Sequence, residues 1–151
     1  MQQPMTNPPM PDTKWSAGSL RIVSQTITVD EISAVLGIEP DDYFEHGSLE
    51  IACNPDTFRR KRSVWILKSG LDSDRWLQEH AEALVGRLGE RRESLGRLAE
   101  SCELELFLGF GSENGQGGCV LPARLLTEIG SLGLNVVLDL YPPDDIAQLD
   151  E

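Results

Sequence analysis

Apolar residues along this chain follow two rhythms, strict alternation and helical spacing, and the switches between them outline its elements. The strongest strand pattern is residues 62–68, where Val64 and Ile66 interleave with Ser63, Trp65 and Leu67. A strand apolar on both faces belongs in the middle of a sheet, covered on each side, and Trp65 adds a large apolar area with one N–H that needs a partner. Residues 19–25 alternate too, Leu20 and Ile22 against Arg21, Val23 and Gln25. In residues 102–110, Cys102, Leu104, Leu106 and Leu108 point one way and Glu103, Glu105 and Phe107 the other. Residues 134–141 form the last strand, with 48–53 and 119–121 as short candidates.

The helical stretches have clearer ends. Thr28 and Glu31 form a Thr-x-x-Glu capping box with Ile27 and Ile32 placed to staple across it, opening a short helix over Val29–Leu36. Gly37 suits the left-handed position that ends it, and Pro40 forbids continuation. After a loop at residues 41–47, a turn at Asn54-Pro55 and the strand at residues 62–68, a longer helix is expected from Asp72 or Ser73 to Leu88. Its stripe is Trp76, Leu77, His80, Ala81, Leu84, Val85 and Leu88. A second helical pattern covers residues 90–100, with Leu95, Leu98 and Ala99 apolar. Residues 111–118 are Gly-rich and read as a turn, and a last helix runs from Pro122 to Leu132, with Leu125, Leu126 and Ile129 apolar.

Strands and helices in this order predict an α+β fold, a ferredoxin-like α/β sandwich with a largely antiparallel sheet and helices on one face. Val35-Leu36-Gly37-Ile38 and Ser131-Leu132-Gly133-Leu134 end two similar helices, a weak echo that suggests two β-α-β repeats. One domain is expected over residues 15–143. Residues 1–14 hold four prolines and all three methionines, and read as a disordered tail that leaves no methionine for the core. Residues 144–151 read as a fraying acidic tail.

Composition narrows the function classes. The net charge is −12, from 25 acidic and 13 basic residues, which disfavours nucleic acid and anionic membranes. The basic run Arg59-Arg60-Lys61-Arg62 stands out against that background, and most often such a run is a solvated loop. No apolar stretch spans a bilayer and no signal peptide is evident, so a cytoplasmic protein is expected. Cys53, Cys102 and Cys119 lack metal-ligand spacing and read as reduced thiols, so neither a metal nor another cofactor is expected.

Residues 32–40, a glycine near 47, Arg62-Ser63-Val64-Trp65 and residues 134–141, taken together, resemble a bacterial domain-of-unknown-function family, the one numbered four-two-seven-nine. The family often has Gly-Asp in its loop, where this chain has Gly47-Ser48. The resemblance implies a small cytosolic α+β domain and supplies no catalytic residues.

There is no P-loop, no dinucleotide fingerprint and no nucleophile elbow, and Gly109-Phe110-Gly111 reads as the approach to a hairpin turn rather than a phosphate loop. His46 lies in a polar loop, and His80 reads as a satisfied histidine at the core's edge. If helices cover the face of Leu20, Ile22, Val64, Ile66, Leu104, Leu106, Val136 and Leu138, the opposite face carries Arg21, Trp65, Glu103, Glu105, Phe107, Asp139 and Tyr141. That aromatic and charged mixture suits a protein partner or self-association. The leading expectation is therefore a non-enzymatic interaction or regulatory module, immunity-like in neutralising a partner such as a toxin. The alternative is a small-molecule-binding domain or small enzyme using Glu103 and Glu105 with Arg21 or His46. A pocket on that face discriminates between them.

Overall fold

A computed structural model describes residues 7–48 and 61–143. The elements in chain order are β1 (Lys14–Ser24), α1 (Val29–Leu36), β2 (Asp42–Phe44), β3 (Ser63–Lys68), α2 (Leu77–Leu88), α3 (Arg92–Leu98), β4 (Glu103–Ser112), α4 (Ala123–Ser131) and β5 (Asn135–Tyr141). The strands make one sheet in the order β2-β3-β1-β4-β5, antiparallel except for the β4–β5 pair. The α+β class and the mostly antiparallel sheet are as expected. The ferredoxin-like detail is not confirmed, because the two helical crossovers differ. α1 lies between the antiparallel neighbours β1 and β3, whereas α4 joins the parallel neighbours β4 and β5. The echo between the two helix ends therefore does not mark equivalent units.

The centre of the sheet is β1, not β3. Its 11 residues pair with β3 on one side and β4 on the other, while among the described residues β3 is flanked outwardly only by the three-residue β2. Residues 41–47, expected as a loop, contain β2, because Asp42, Tyr43 and Phe44 pair with Ile66, Trp65 and Val64. Residues 119–121 form no strand, and Gly111 and Ser112 extend β4 instead of opening the turn. Residues 49–53, Asn54-Pro55, Arg59, Arg60 and the acidic tail at 144–151 lie outside the described residues.

One correction matters most for function. Trp65 pairs with Ile22 and Leu67 with Leu20, and all four are buried beneath the helices, with Leu104, Leu106 and Leu108 of β4 on the same side. Trp65 therefore faces the helices, and Val64 and Ile66 face the opposite side, the reverse of the expected register. The physical reason is the indole N–H, which α1 satisfies by offering the Ser33 hydroxyl at 3.0 Å. Only β3 is inverted. Arg21, Glu105, Phe107, Asp139 and Tyr141 occupy the face expected for them, as their pairing shows.

The local readings of α1 hold. Thr28 Oγ1 accepts from the Glu31 N–H while Glu31 accepts from the Thr28 N–H, and Gly37 closes the helix at φ 69° with its N–H on the Ser33 carbonyl. α2 begins later than expected. Asp72 closes a turn by accepting from the Arg75 N–H, and the helix starts after Trp76, whose N–H donates to the Glu79 carboxylate. Ala99 is exposed beyond the end of α3. Within the stretch expected as a tail, residues 7–13 lie against the segment leading into α2. The Trp76 indole donates to the Pro8 carbonyl, the Met10 N–H to that of Asp74, and Met10 is buried, so a methionine does pack on the body.

β5 is exposed on the helix-facing side. Val136, Leu138 and Leu140 project there and are 37%, 53% and 65% accessible, because α4 buries Leu125 and Ile129 and leaves the sheet edge uncovered. Among the described residues no helix is long and apolar enough to cross a membrane.

Candidate functional site

The sheet face away from the helices bears a recess of about 510 Å³ toward the N-terminal end of β1. That volume is in the range of small-ligand sites. Its origin lies in unequal strand lengths. β3 ends at Lys68 opposite Ser19, so residues 14–18 of β1 continue past it, paired on that side with a turn instead of a strand. The Ser69 N–H donates to the Gly18 carbonyl and the Ser16 N–H to that of Ser73. The recess opens along this junction.

Three aromatic side chains line it. Trp15 crosses β4 at Gly109, where an added Cβ would sit 3.5 Å from the indole, so the missing side chain provides the indole's seat. The Trp15 and Tyr141 rings are 5.0 Å apart and tilted by 54°, an arrangement favoured by ring quadrupoles. Phe107 lies between Ser19 and Val137 in the pairing. The Arg21 guanidinium carbon stands 3.8 Å over the Phe107 ring, a cation–π contact. Arg21 pairs with Glu105 and Ser19 with Phe107, so the arginine leans along the face toward the recess.

Charge in the recess is mixed, with Arg21 and Lys68 against Asp42 and Asp139. Among the described residues Arg21 forms no ion pair, and its Nε is buried with no hydrogen-bond partner. The Asp41 carboxylate is engaged nearby by accepting from the Lys68 N–H.

His80 of α2 also lines the recess, although its ring is buried. It reaches β1 because Gly18 has no side chain there; a Cβ at Gly18 would stand 2.6 Å from the Cβ of His80. Nδ1 of His80 lies 2.7 Å from Ser69 Oγ, while Nε2 is buried with no side-chain partner among the described residues, and the Arg75 and Asp72 backbone carbonyls lie near the ring. His80 is thus a buried histidine at the core's edge, held by Ser69. Burial pushes its pKa down, the Glu79 charge opposes that and the Arg75 charge adds to it, so the ring is neutral near pH 7.

The expected site residues separate into groups. Arg21, Phe107, Asp139 and Tyr141 line the recess together. Glu105 neighbours Arg21 in the pairing without lining it, and Glu103 lines a different recess at the other end of the sheet, with Arg62 and Cys102. Trp65 is buried on the opposite face. His46 is exposed beyond β2, its N–H donating to Ser63 Oγ. Glu103, Glu105 and His46 therefore do not converge. Trp15, Lys68 and His80 enter the site unforeseen. A Trp–Ser–Ala–Gly stretch just before the first alternating segment held the only local cue, a bulky aromatic followed by small residues.

Other chemistry is sparse. No cluster of His, Cys, Asp and Glu able to hold a metal occurs among the described residues. Cys102 and Cys119 are free thiols, and burial pushes the Cys102 pKa up against a smaller lowering from Ser24. A family model described as a domain of unknown function (DUF4279) matches residues 13–143. No curated protein and no solved structure matches the chain.

Proposed function

Because the chain belongs to the DUF4279 family, which carries no activity to transfer, we propose a role from the site itself, that of a domain binding a small molecule on its open sheet face. The observation that carries this reading is the recess of about 510 Å³ walled by Trp15, Phe107 and Tyr141, with Arg21, which forms no ion pair among the described residues, laid across one wall. Aromatic surface with a few convergent polar groups is the usual make-up of a ligand pocket. The two glycines at Gly18 and Gly109 serve packing around this recess, which argues that its shape is specified.

Titration of the isotopically labelled protein with indole tests this directly. Amide resonances of Gly18, Arg21, Phe107 and Gly109 shift in a saturable manner, and Trp15→Ala abolishes the response. An aromatic fragment panel that perturbs none of these resonances overturns the reading.

A second reading, an interaction or regulatory module, is supported by a different place. Among the described residues β5 pairs only with β4, and it exposes Leu138 and Leu140. An accessible strand edge of this kind favours pairing with another chain. On this reading the native protein self-associates or captures a protein partner, and Leu138→Lys reduces that association, measured by light scattering and by pull-down.

A further inference from the structure

We infer that the β4–β5 end of the recess binds an organic cation of the methylated ammonium class, seated against Trp15 and Tyr141 with Asp139 as its counter-charge. This rests on the reading of the recess as a binding site and names what that end of it takes. Strand pairing brings the three side chains together. Trp15, Gly111 and Tyr141 form one row across β1, β4 and β5, and Ala17, Gly109 and Asp139 form the next. Both positions on β4 are glycines, so no β4 side chain parts the Trp15 and Tyr141 rings, whose centroids are 5.0 Å apart. A Cβ added at Gly109 would stand 3.5 Å from the Trp15 ring and 4.0 Å from the Asp139 carbonyl oxygen, so the indole reaches the row that carries Asp139. All three residues line the recess and are half-buried.

The chemistry of this corner favours a positive charge. Two aromatic rings tilted by 54° present electron-rich π surface, which attracts cations. Asp139 adds a full negative charge beside them, and among the described residues it forms no ion pair. The same sheet face already holds one cation in this way, the Arg21 guanidinium 3.8 Å over Phe107. Lys68 is on β3, three strands away from β5. At the usual strand spacing that is about 14 Å, a separation at which exposed charges are largely screened. The net charge of −12 draws cations toward the molecule as a whole.

The same geometry selects the kind of cation. A primary ammonium brings three N–H donors, each wanting an acceptor. A methylated ammonium needs none, and its methyl groups pack on the rings while its charge faces the carboxylate.

Paired NMR titrations with choline and with 3,3-dimethylbutanol, a neutral molecule of the same shape, test this. The resonances followed are the Gly109 and Asp139 amides and the Trp15 indole N–H. In the native protein choline shifts them saturably and binds more tightly than the alcohol. Asp139→Asn weakens choline by roughly fivefold, the scale of a partly exposed charge pair, and leaves the alcohol nearly unchanged. Trp15→Leu, which keeps apolar surface without a π system, weakens choline by roughly threefold or more. Arg21→Gln removes a like charge from the recess and strengthens choline but not the alcohol, a gain that a misfolded variant cannot produce. Should choline, the alcohol and indole all leave the native recess unperturbed, the binding reading itself fails. Should indole shift these resonances while choline does not, or the alcohol match choline, binding stands and the cation assignment is overturned. A choline affinity unchanged by both Asp139→Asn and Arg21→Gln overturns the part given to Asp139.

Discussion

The Trp65 indole N–H donates to the Ser33 hydroxyl at 3.0 Å, tying the inner surface of β3 to α1. This bond fixes which way β3 faces. Trp65 is fully buried within the common core, so its truncation acts on folding rather than on association. Trp65→Ala is expected to cost about 3–5 kcal/mol, measured by urea unfolding, with no change in the oligomeric mass of whatever remains folded. Ser33→Ala strands the indole N–H and costs about 1–3 kcal/mol. A Trp65→Phe, Ser33→Ala double variant loses less than the sum of its singles, since both remove one bond.

Much of the fold was legible because neighbouring residues were enough to specify it. Thr28, Glu31 and Gly37 act within one helix, and their spacing alone announced α1. The alternation of Leu104, Leu106 and Leu108 placed β4 correctly against the core. β3 was ambiguous because both its faces are apolar, so the pattern could not choose between them. The choice came from Ser33, 32 residues away. The site was half legible. Arg21, Phe107, Asp139 and Tyr141 followed from strand parity, whereas His80 belongs to α2 and arrives through the gap at Gly18, a tertiary relation with no periodic trace.

That gap makes a second prediction. Gly18→Ala places a methyl 2.6 Å from His80 Cβ, which must move together with the helix that carries it. The expected loss is about 1–3 kcal/mol by overpacking. Replacing His80 with glycine in the same chain removes the clash, so the two substitutions are non-additive in a thermal denaturation cycle.

The cap of α1 gives a third. Thr28→Ala removes the acceptor for the Glu31 N–H and costs about 1 kcal/mol. Gly37→Val costs more, because a β-branched residue resists the φ of 69° found there. Chemical denaturation of the two variants ranks them, and equal losses contradict the assignment.

Met10 supplies a fourth. It is 4% accessible, and its N–H donates to the Asp74 carbonyl. Met10→Ala is expected to lower stability by about 2 kcal/mol, the low end for a buried methionine. An unchanged melting temperature would show that the segment before β1 does not contribute.

The last prediction concerns pH. Burial lowers the pKa of His80 from its ordinary value of 6.5, Glu79 opposing and Arg75 reinforcing. In the unfolded chain the ring is free to protonate near the ordinary value, whereas in the folded protein it resists. Between the two pKa values the unfolded state binds more protons, so stability rises with pH across that window. The contribution is fully present above 6.5 and is lost as pH falls toward the lowered folded value. Below that value both states are protonated and the loss levels off. His80→Gln, which cannot titrate, therefore flattens the stability profile between neutral pH and the carboxylate range while leaving the steeper acid limb below it. Urea midpoints of both proteins at closely spaced pH values make the comparison. Parallel profiles through that window would mean that His80 takes up its proton as easily folded as unfolded, and that the closed environment around its ring does not hold.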